Sequence, residues 1–212
     1  MAIIILLICF VLIFLNLAIK AGTRVDIKEI FTKSVLIFSI LVVFITEVTS
    51  FFHLLKFQSI LTFWIGVTLL SVLLLLSKKE KLLSFIVILK KYVKSVFCSL
   101  SNREKYLLFL LGTILMLIFI QGIIYPPNNW DSMTYHMARI TNWMSHQSVE
   151  HYPSHIFRQI YQPPFSEYVI LQFNILNIGD YFSNSVQFFF LLFSLVVIVL
   201  IVQLFELKRQ YK

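Results

Sequence analysis

The sequence has little charge for its length, and this scarcity excludes a soluble globular domain. Asp, Glu, Lys and Arg make up 13% of the 212 residues, whereas 59% are hydrophobic, and the mean hydropathy is +0.87. Glycine and proline are also scarce, with five of each. Such a composition is typical of polytopic membrane proteins. Because backbone groups in lipid must be hydrogen-bonded internally, and no alternating apolar–polar pattern is present, we expect an all-α fold.

Cysteine is nearly absent, and so are the short motifs of the common soluble enzyme classes. The chain has no P-loop, dinucleotide-binding glycine fingerprint, CxxC pair or GxSxG nucleophile elbow. The two cysteines, Cys9 and Cys98, fall in a predicted span and in a predicted cytoplasmic segment. We therefore expect no disulfide between them.

Five apolar runs are each close to the roughly 20 residues that a helix needs to cross about 30 Å of hydrocarbon. The first lacks a basic start and a small-residue cleavage site, so it is interpreted as a retained span rather than a signal peptide. The runs cover about 2–19, 34–55, 57–77, 106–125 and 185–205. The sequence thus predicts a polytopic α-helical membrane protein with about five transmembrane helices, plus juxtamembrane helices in an outer loop.

The basic residues indicate how these spans are oriented. Of the 18 Lys and Arg residues, 15 lie in residues 20–33, 78–105 and 206–212, which share one side if the five spans are drawn as above. The positive-inside rule makes that side the cytoplasm of a cell (inner or plasma) membrane. The N-terminus and residues 126–184 are then extracytoplasmic. The net charge of +8 is explained by topology, so no nucleic-acid partner is expected.

The spans divide the chain into a cytoplasmic connector and two membrane portions. Residues 1–77 hold three spans, and 106–205 hold two spans around the loop 126–184. The connector 78–105 carries an apolar stripe between lysine clusters, which favours a helix on the anionic inner leaflet. This stripe comprises Leu82, Leu83, Phe85, Ile86, Ile88 and Leu89. The short apolar segment 166–178 predicts a juxtamembrane or half-embedded helix that ends at Gly179.

All five prolines and four of the five histidines fall in the loop 126–184. Near its start, the pattern after Asp131 predicts an amphipathic helix at the membrane interface. Helical spacing puts Asp131, Tyr135 and Arg139 on one face. The opposing apolar stripe comprises Met133, Met137, Ile140 and Met144. Taken alone, Asp131 is either a helix cap or a catalytic acid.

A second cluster in the loop carries a resemblance to a known family. Asp131 soon after a span, the surface helix, and the element Tyr161-Gln162-Pro163-Pro164-Phe165 resemble the first extracytoplasmic loop of the C-type (GT-C) glycosyltransferase superfamily. That superfamily includes the glycosyltransferase 39 kind, the protein O-mannosyltransferases and the lipid A aminoarabinose transferase. The resemblance covers about 106–205. Because these enzymes have many more than five spans, it implies the N-terminal portion of a longer chain or a reduced relative.

The resemblance implies an inverting sugar transfer from a polyprenyl-phosphate donor to an extracytoplasmic glycan, lipid or protein acceptor. Asp131 would be the catalytic base, and arginines or histidines would bind the donor phosphate. Related enzymes often carry a second acid where this chain has Ser132 and a basic residue where it has Gln162. The candidate substrate-binding residues are Tyr135, His136, Arg139, Arg158, Gln162 and Glu167.

Several alternatives stay open on the residues alone. Glu167 either faces the site or caps the short helix that follows. The residues identify no cofactor and leave a divalent metal open, with His151 and His155 at helical spacing but separated by Pro153. A Wzy-like polymerase or O-antigen ligase would use Arg and His instead of Asp131. A transporter or non-catalytic membrane subunit would depend on Glu47, an acid within the second span.

Overall fold

The computed structural model of the chain describes residues 2–22 and 26–205, and within them the fold is all-helical. The predicted basic tail 206–212 lies outside the described residues. Nine α-helices and one π-helical turn, Ser132–His136, follow one another within these described ranges. The α-helices are α1 Ile4–Ala21, α2 Ile27–Phe51, α3 Phe57–Leu76, α4 Lys79–Ser99, α5 Asn102–Ile124, α6 Met137–His146, α7 Arg158–Tyr161, α8 Phe165–Asn177 and α9 Ser183–Leu204.

Five of these helices are long and apolar enough to cross a membrane, namely α1, α2, α3, α5 and α9. This confirms the prediction of an all-α, multi-pass membrane protein. Two of the helices begin before the predicted apolar run because polar residues cap them. Asp26 accepts a hydrogen bond from the Lys28 amide at 2.9 Å, so α2 begins at Ile27 rather than at 34. A capping box of Ser101 and Glu104 likewise starts α5 at Asn102.

The helices place the connecting segments at two opposite ends of the bundle. At one end, the end of α1, the start of α2, and α4 meet, and Lys20, Lys28 and Lys81 line a common cleft. Lys28 also donates to Gln203 Oε1 of α9 at 2.7 Å. We call this the basic end. The other end holds the turn between α2 and α3 together with residues 125–182. A hydrogen bond from Leu55 N to Gln147 O, at 3.3 Å, joins these two segments. We call this the connector end.

The α8 helix lies inside the bundle rather than on its surface. It contacts α2, α3, α6 and α9, and nine of its thirteen residues are buried. Gln172 donates to the Val42 carbonyl, nine residues before the end of α2, so α8 reaches about 13 Å in from the connector end. Its last helical residue is Asn177, and Ile178 rather than Gly179 takes the left-handed conformation, with φ of 57°.

Two helices lie at the periphery. α4 has no buried residue and is not among the helices that are long and apolar enough to span a membrane. α5 also has no buried residue and packs mainly along α9, where the rings of Phe119 and Phe188 lie 5.0 Å apart. The tightly packed core therefore lies among α1, α2, α3, α6, α8 and the first turn of α9.

Candidate functional site

Of the helix-start residues that the sequence offers, Asn128, Asn129 and Asp131, the structure uses Asn129 as the cap of the helical segment that leads into α6. The side chain of Asn129 accepts from the Ser132 amide at 2.7 Å, whereas Asp131 makes no capping hydrogen bond. The structure therefore assigns the capping role to Asn129. Asp131 lies in the first turn with its carboxylate 58% exposed.

The π-helical turn changes which residues share a face. A π turn closes i→i+5 hydrogen bonds instead of i→i+4, so the side chains after it are rotated relative to a continuous α-helix. Arg139, Ile140 and Trp143 of α6 are all buried against the bundle, while Met133 and Met144 are exposed. The predicted four-residue apolar stripe is wrong for Ile140, which is only 1% exposed.

A buried ionic cluster joins this helix to α8. His136 Nδ1 lies 2.7 Å from Glu167 Oε1, and Ser166 donates to Glu167 Oε2 at 2.8 Å. The Nη1 atom of Arg139 lies 3.7 Å from the same Glu167 oxygen. Glu167 is 1% exposed. Its carboxylate therefore bonds other side chains instead of capping α8, which begins after Pro164 without a side-chain cap.

Arg139 holds the Pro-Pro element against α6. Its guanidinium donates to the backbone carbonyls of Gln162 at 3.0 Å and Ile160 at 3.4 Å. It also stacks over Trp143, with 4.7 Å between the guanidinium carbon and the ring centroid. Because Arg139 is buried and occupied by these partners, it positions the Pro-Pro element. The structure uses the backbone of Gln162 for this contact, and no hydrogen bond of its side chain occurs among the described residues.

A second ion pair lies on the exposed side of the same cluster. Arg158 Nη1 lies 3.6 Å from Asp131 Oδ1, and the two side chains are 55% and 58% exposed. The Arg158 guanidinium also lies over the ring of Tyr135, 5.6 Å from its centroid. Tyr135 in turn contacts His136, with ring centroids 4.1 Å apart. A continuous series of contacts therefore runs from Asp131 through Arg158, Tyr135 and His136 to Glu167.

Residues that the sequence reasoning missed hold the site in place. Gln159 is buried, donates to the Thr134 carbonyl at 2.7 Å, and accepts from Tyr152 at 2.9 Å and Ser154 at 2.8 Å. These bonds fix α7, and with it Arg158, against the π turn. Burial raises the pKa of Tyr152, and the Arg139 charge opposes that shift, so Tyr152 stays a neutral donor. The signal available in the sequence was a glutamine immediately after the candidate Arg158.

The α8 helix has its own polar anchors. Gln172 accepts from Trp64 Nε1 at 2.8 Å and donates to Thr46 Oγ1 at 2.9 Å as well as to Val42. Tyr168 donates to Glu47 Oε1 at 2.5 Å. Burial, together with the hydrogen bond to Glu47, raises the pKa of Tyr168 well above its usual range. Glu47, the acid noted in the second span, therefore accepts a hydrogen bond that holds α8 against α2.

An apolar groove adjoins the cluster along α8. It lies between α1, α2, α8 and α9, has a volume of about 290 Å³, and its lining includes eight phenylalanines. Phe165, at the start of α8, lines the groove only two residues before Glu167. Leu7 and Phe189 line it while remaining partly exposed, so the groove opens on the side of the bundle.

The candidate metal ligands do not gather into a cluster. His151 and His155 are both exposed, and among residues 2–22 and 26–205 no group of three or more His, Cys, Asp or Glu side chains could hold a metal ion. Both cysteines are free thiols, Cys9 buried and Cys98 exposed.

Taken together, the site offers an exposed carboxylate, an exposed guanidinium and a half-buried imidazole above an apolar groove. Such a set can abstract a proton and bind an anion at a membrane surface. The chain was compared with known proteins for further guidance, and no protein-family model, curated protein or solved structure matches it.

Proposed function

We propose that this protein is a membrane glycosyltransferase, or part of one, that transfers a sugar from a polyprenyl-phosphate donor to an extracytoplasmic acceptor. The observation that carries the proposal is the exposed Asp131–Arg158 pair, which lies in the same series of contacts as His136 and Glu167. The cap role that would otherwise explain Asp131 belongs to Asn129. Asp131 is therefore free of a capping role and lies exposed beside Arg158, where it can reach a substrate.

Arg158 and His136 are suited to bind the donor phosphate. Arg158 is more than half exposed and can grip two phosphate oxygens at once. His136 is 30% exposed and uses Nδ1 for Glu167, so Nε2 is the ring atom free to face a ligand. With an ionised Glu167, Nδ1 is the donor in that bond, and the carboxylate fixes the orientation of the imidazole. Arg139, although predicted as a phosphate ligand, is committed to the Pro-Pro element.

Asp131 is suited to be the base for the acceptor. A donor phosphate at Arg158 competes for the guanidinium, which releases the Asp131 carboxylate for an acceptor hydroxyl or amine. The acceptor oxygen or nitrogen forms a bond to the anomeric carbon while the bond from that carbon to the phosphate oxygen breaks. Asp131 takes the acceptor proton, and the polyprenyl phosphate leaves as an anion with the bonding electron pair. Attack opposite the leaving group inverts the anomeric configuration.

The apolar groove supports a lipid-linked donor. An isoprenoid chain is apolar and flexible, and a groove lined by phenylalanines that opens on the side of the bundle is chemically matched to it. Phe165 and Glu167 are both in the first turn of α8. A donor with its tail in the groove would therefore bring its phosphate close to His136.

The orientation of the protein belongs to the same proposal. The lysines at the basic end favour the cytoplasmic side by the positive-inside rule, which puts the connector end outside. Polyprenyl-phosphate sugars presented on that side would meet the site at the interface. The chain would then be a multi-pass protein of the cell membrane with an extracytoplasmic loop 126–184.

A polymerase or ligase acting on lipid-linked glycans is the second candidate. It is favoured by the exposure of Arg158 and His136, the residue types on which such enzymes would depend. The transporter alternative has less support, since Glu47 is bonded to Tyr168 and this bond already accounts for an acid in the second span.

The proposal is tested by sugar transfer in membranes carrying the full-length chain, with radiolabelled polyprenyl-phosphate sugars as donors. We expect a higher rate of transfer than in membranes that lack the protein. In Arg158→Gln we expect the donor KM to rise so far that the rate no longer saturates with donor. The matched control is Glu150→Gln, which replaces an exposed acid in the same loop, 126–184. Absence of transfer from every polyprenyl-phosphate sugar tested would overturn the proposal.

A further inference from the structure

A cleft lined by carboxamides lies between α5 and α9 at the connector end. Its volume is about 400 Å³, within the range of small-molecule sites. No charged side chain lines it. Aromatic walls are supplied by Tyr125 and Phe188. The amides are those of Gln121, Asn128, Asn129, Asn184 and Gln187.

Two of these amides are in membrane-spanning helices, where a polar group without a partner is costly. Gln121 is in α5 and Gln187 is in α9, and both side chains are exposed. Neither has a hydrogen-bond partner in the described part of the chain. The buried amides Gln159 and Gln172, by contrast, are each fully engaged by neighbouring groups.

The remaining amides retain bonding capacity that faces the same cleft. Asn184 donates to the Tyr125 carbonyl at 2.8 Å, which leaves its side-chain oxygen as an acceptor. Asn129 uses its oxygen for the Ser132 amide, which leaves its NH₂ group as a donor. The cleft therefore presents both donors and acceptors and carries no net charge.

We propose that this cleft binds an uncharged sugar, which serves as the acceptor in the proposed transfer and thus rests on that function. A carboxamide donates and accepts at once, as a sugar hydroxyl does, so several amides match a polyhydroxylated ring better than charged groups would. Tyr125 and Phe188 can cover the apolar face of such a ring. The acceptor is therefore a neutral glycan or a glycolipid with a neutral headgroup.

The position of the cleft links it to the proposed base. Asn129 lines the cleft and is two residues before Asp131 in the same turn. A sugar held by the amides would present a hydroxyl towards Asp131 while the donor occupies the opposite side at Arg158 and His136. The cleft and the apolar groove are separate cavities, so donor and acceptor would not compete for space.

The test uses the full-length protein in nanodiscs and a panel of uncharged methyl hexosides, with binding followed by saturation-transfer NMR. We expect at least one hexoside to bind the wild-type protein, and the double variant Gln121→Leu/Gln187→Leu to bind it about tenfold more weakly, since two hydrogen-bonding groups are lost. The control Gln58→Leu replaces an exposed glutamine at the same end of the bundle and should bind as wild type.

Two binding results would overturn the inference. One is a wild-type protein that binds no hexoside at the highest soluble concentration, and the other is a double variant that binds as well as wild type. If the second result comes with a changed oligomeric state, the amides are contacts for another membrane helix. Because hexoside binding needs no catalysis, binding without any transfer would refute the proposed function alone. Transfer with an unchanged acceptor KM in the double variant would refute the sugar site alone.

Discussion

His136 and Glu167, separated by 31 residues, are joined by a 2.7 Å contact between Nδ1 and Oε1. This contact connects the π turn before α6 to the first turn of α8, and so attaches the surface helix of the connector to the helix inserted in the bundle. The Arg139 guanidinium, 3.7 Å from the same carboxylate, makes the junction a three-residue ionic cluster. The exposed Asp131–Arg158 pair is built on this junction through Tyr135.

Replacing Glu167 should destabilise the protein. Glu167→Gln leaves the buried Arg139 without its nearest negative charge, and removing one partner of a buried ion pair costs about 3 kcal/mol. Thermal or SDS-induced unfolding in detergent measures the change. Glu150→Gln, at an exposed acid, should stay within about 0.5 kcal/mol of wild type. Equal stability of the two variants would contradict the assigned cluster.

Gln172 should be coupled to Trp64 in stability. Gln172→Leu leaves the buried indole N–H of Trp64 without its acceptor and should cost about 1–3 kcal/mol. Adding Trp64→Phe removes the orphaned donor, so the double variant should lose less than the sum of the two single losses. A double-mutant cycle on unfolding free energies measures this coupling. Strict additivity would show that the two side chains do not interact.

The assignment of the helix cap predicts different effects for two neighbouring residues. Asn129→Ala removes the acceptor for the Ser132 amide and should cost about 1 kcal/mol of stability. Asp131→Ala should leave stability within about 0.5 kcal/mol, because Asp131 makes no capping bond and its ion pair is exposed. Unfolding measurements on both variants separate the roles, and a larger loss for Asp131→Ala would reverse them.

The two native cysteines test the proposed orientation. Cys98 is exposed on α4 and Cys9 is buried, so a membrane-impermeant maleimide should react with Cys98 alone. Labelling should require permeabilised cells if α4 is cytoplasmic, and Cys98→Ser should abolish it. As an outside control, His155→Cys in the Cys98→Ser background should be labelled in intact cells, since His155 is exposed in the loop 126–184. The reverse pattern would invert the topology.

Hydropathy was sufficient to predict the fold class and the five spans, because a helix in lipid must be long and apolar along its whole length. The ends of α2 and α5 differ from the prediction since local polar caps at Asp26 and Ser101 extend both helices beyond the apolar run. Ile140 and Met144 are four residues apart in α6, yet only Ile140 packs into the core. Helical periodicity alone therefore misassigned that face.

The candidate site was less accessible to sequence reasoning because its contacts are long-range. The residues proposed for it, from Asp131 to Glu167, do gather in one place. Their individual environments depend on α8, and α8 is held by partners on α2 and α3 that are more than 100 residues away in sequence. The burial of Glu167 and Arg139 and the exposure of Asp131 and Arg158 follow from that packing alone. Polar residues inside a short apolar helix, such as Gln172 and Asn174, were the local sign of this packing.

The central claim is that Asp131 is the base of a sugar transfer. It is tested most directly by the rate of transfer from a saturating polyprenyl-phosphate sugar in Asp131→Asn, with unfolding measured on the same preparation. We expect the rate to fall by about 10²–10⁴, the usual contribution of a general base, with wild-type stability and donor KM. An Asp131→Asn variant with the wild-type rate, in a protein that loses activity on Arg158→Gln, would contradict the claim.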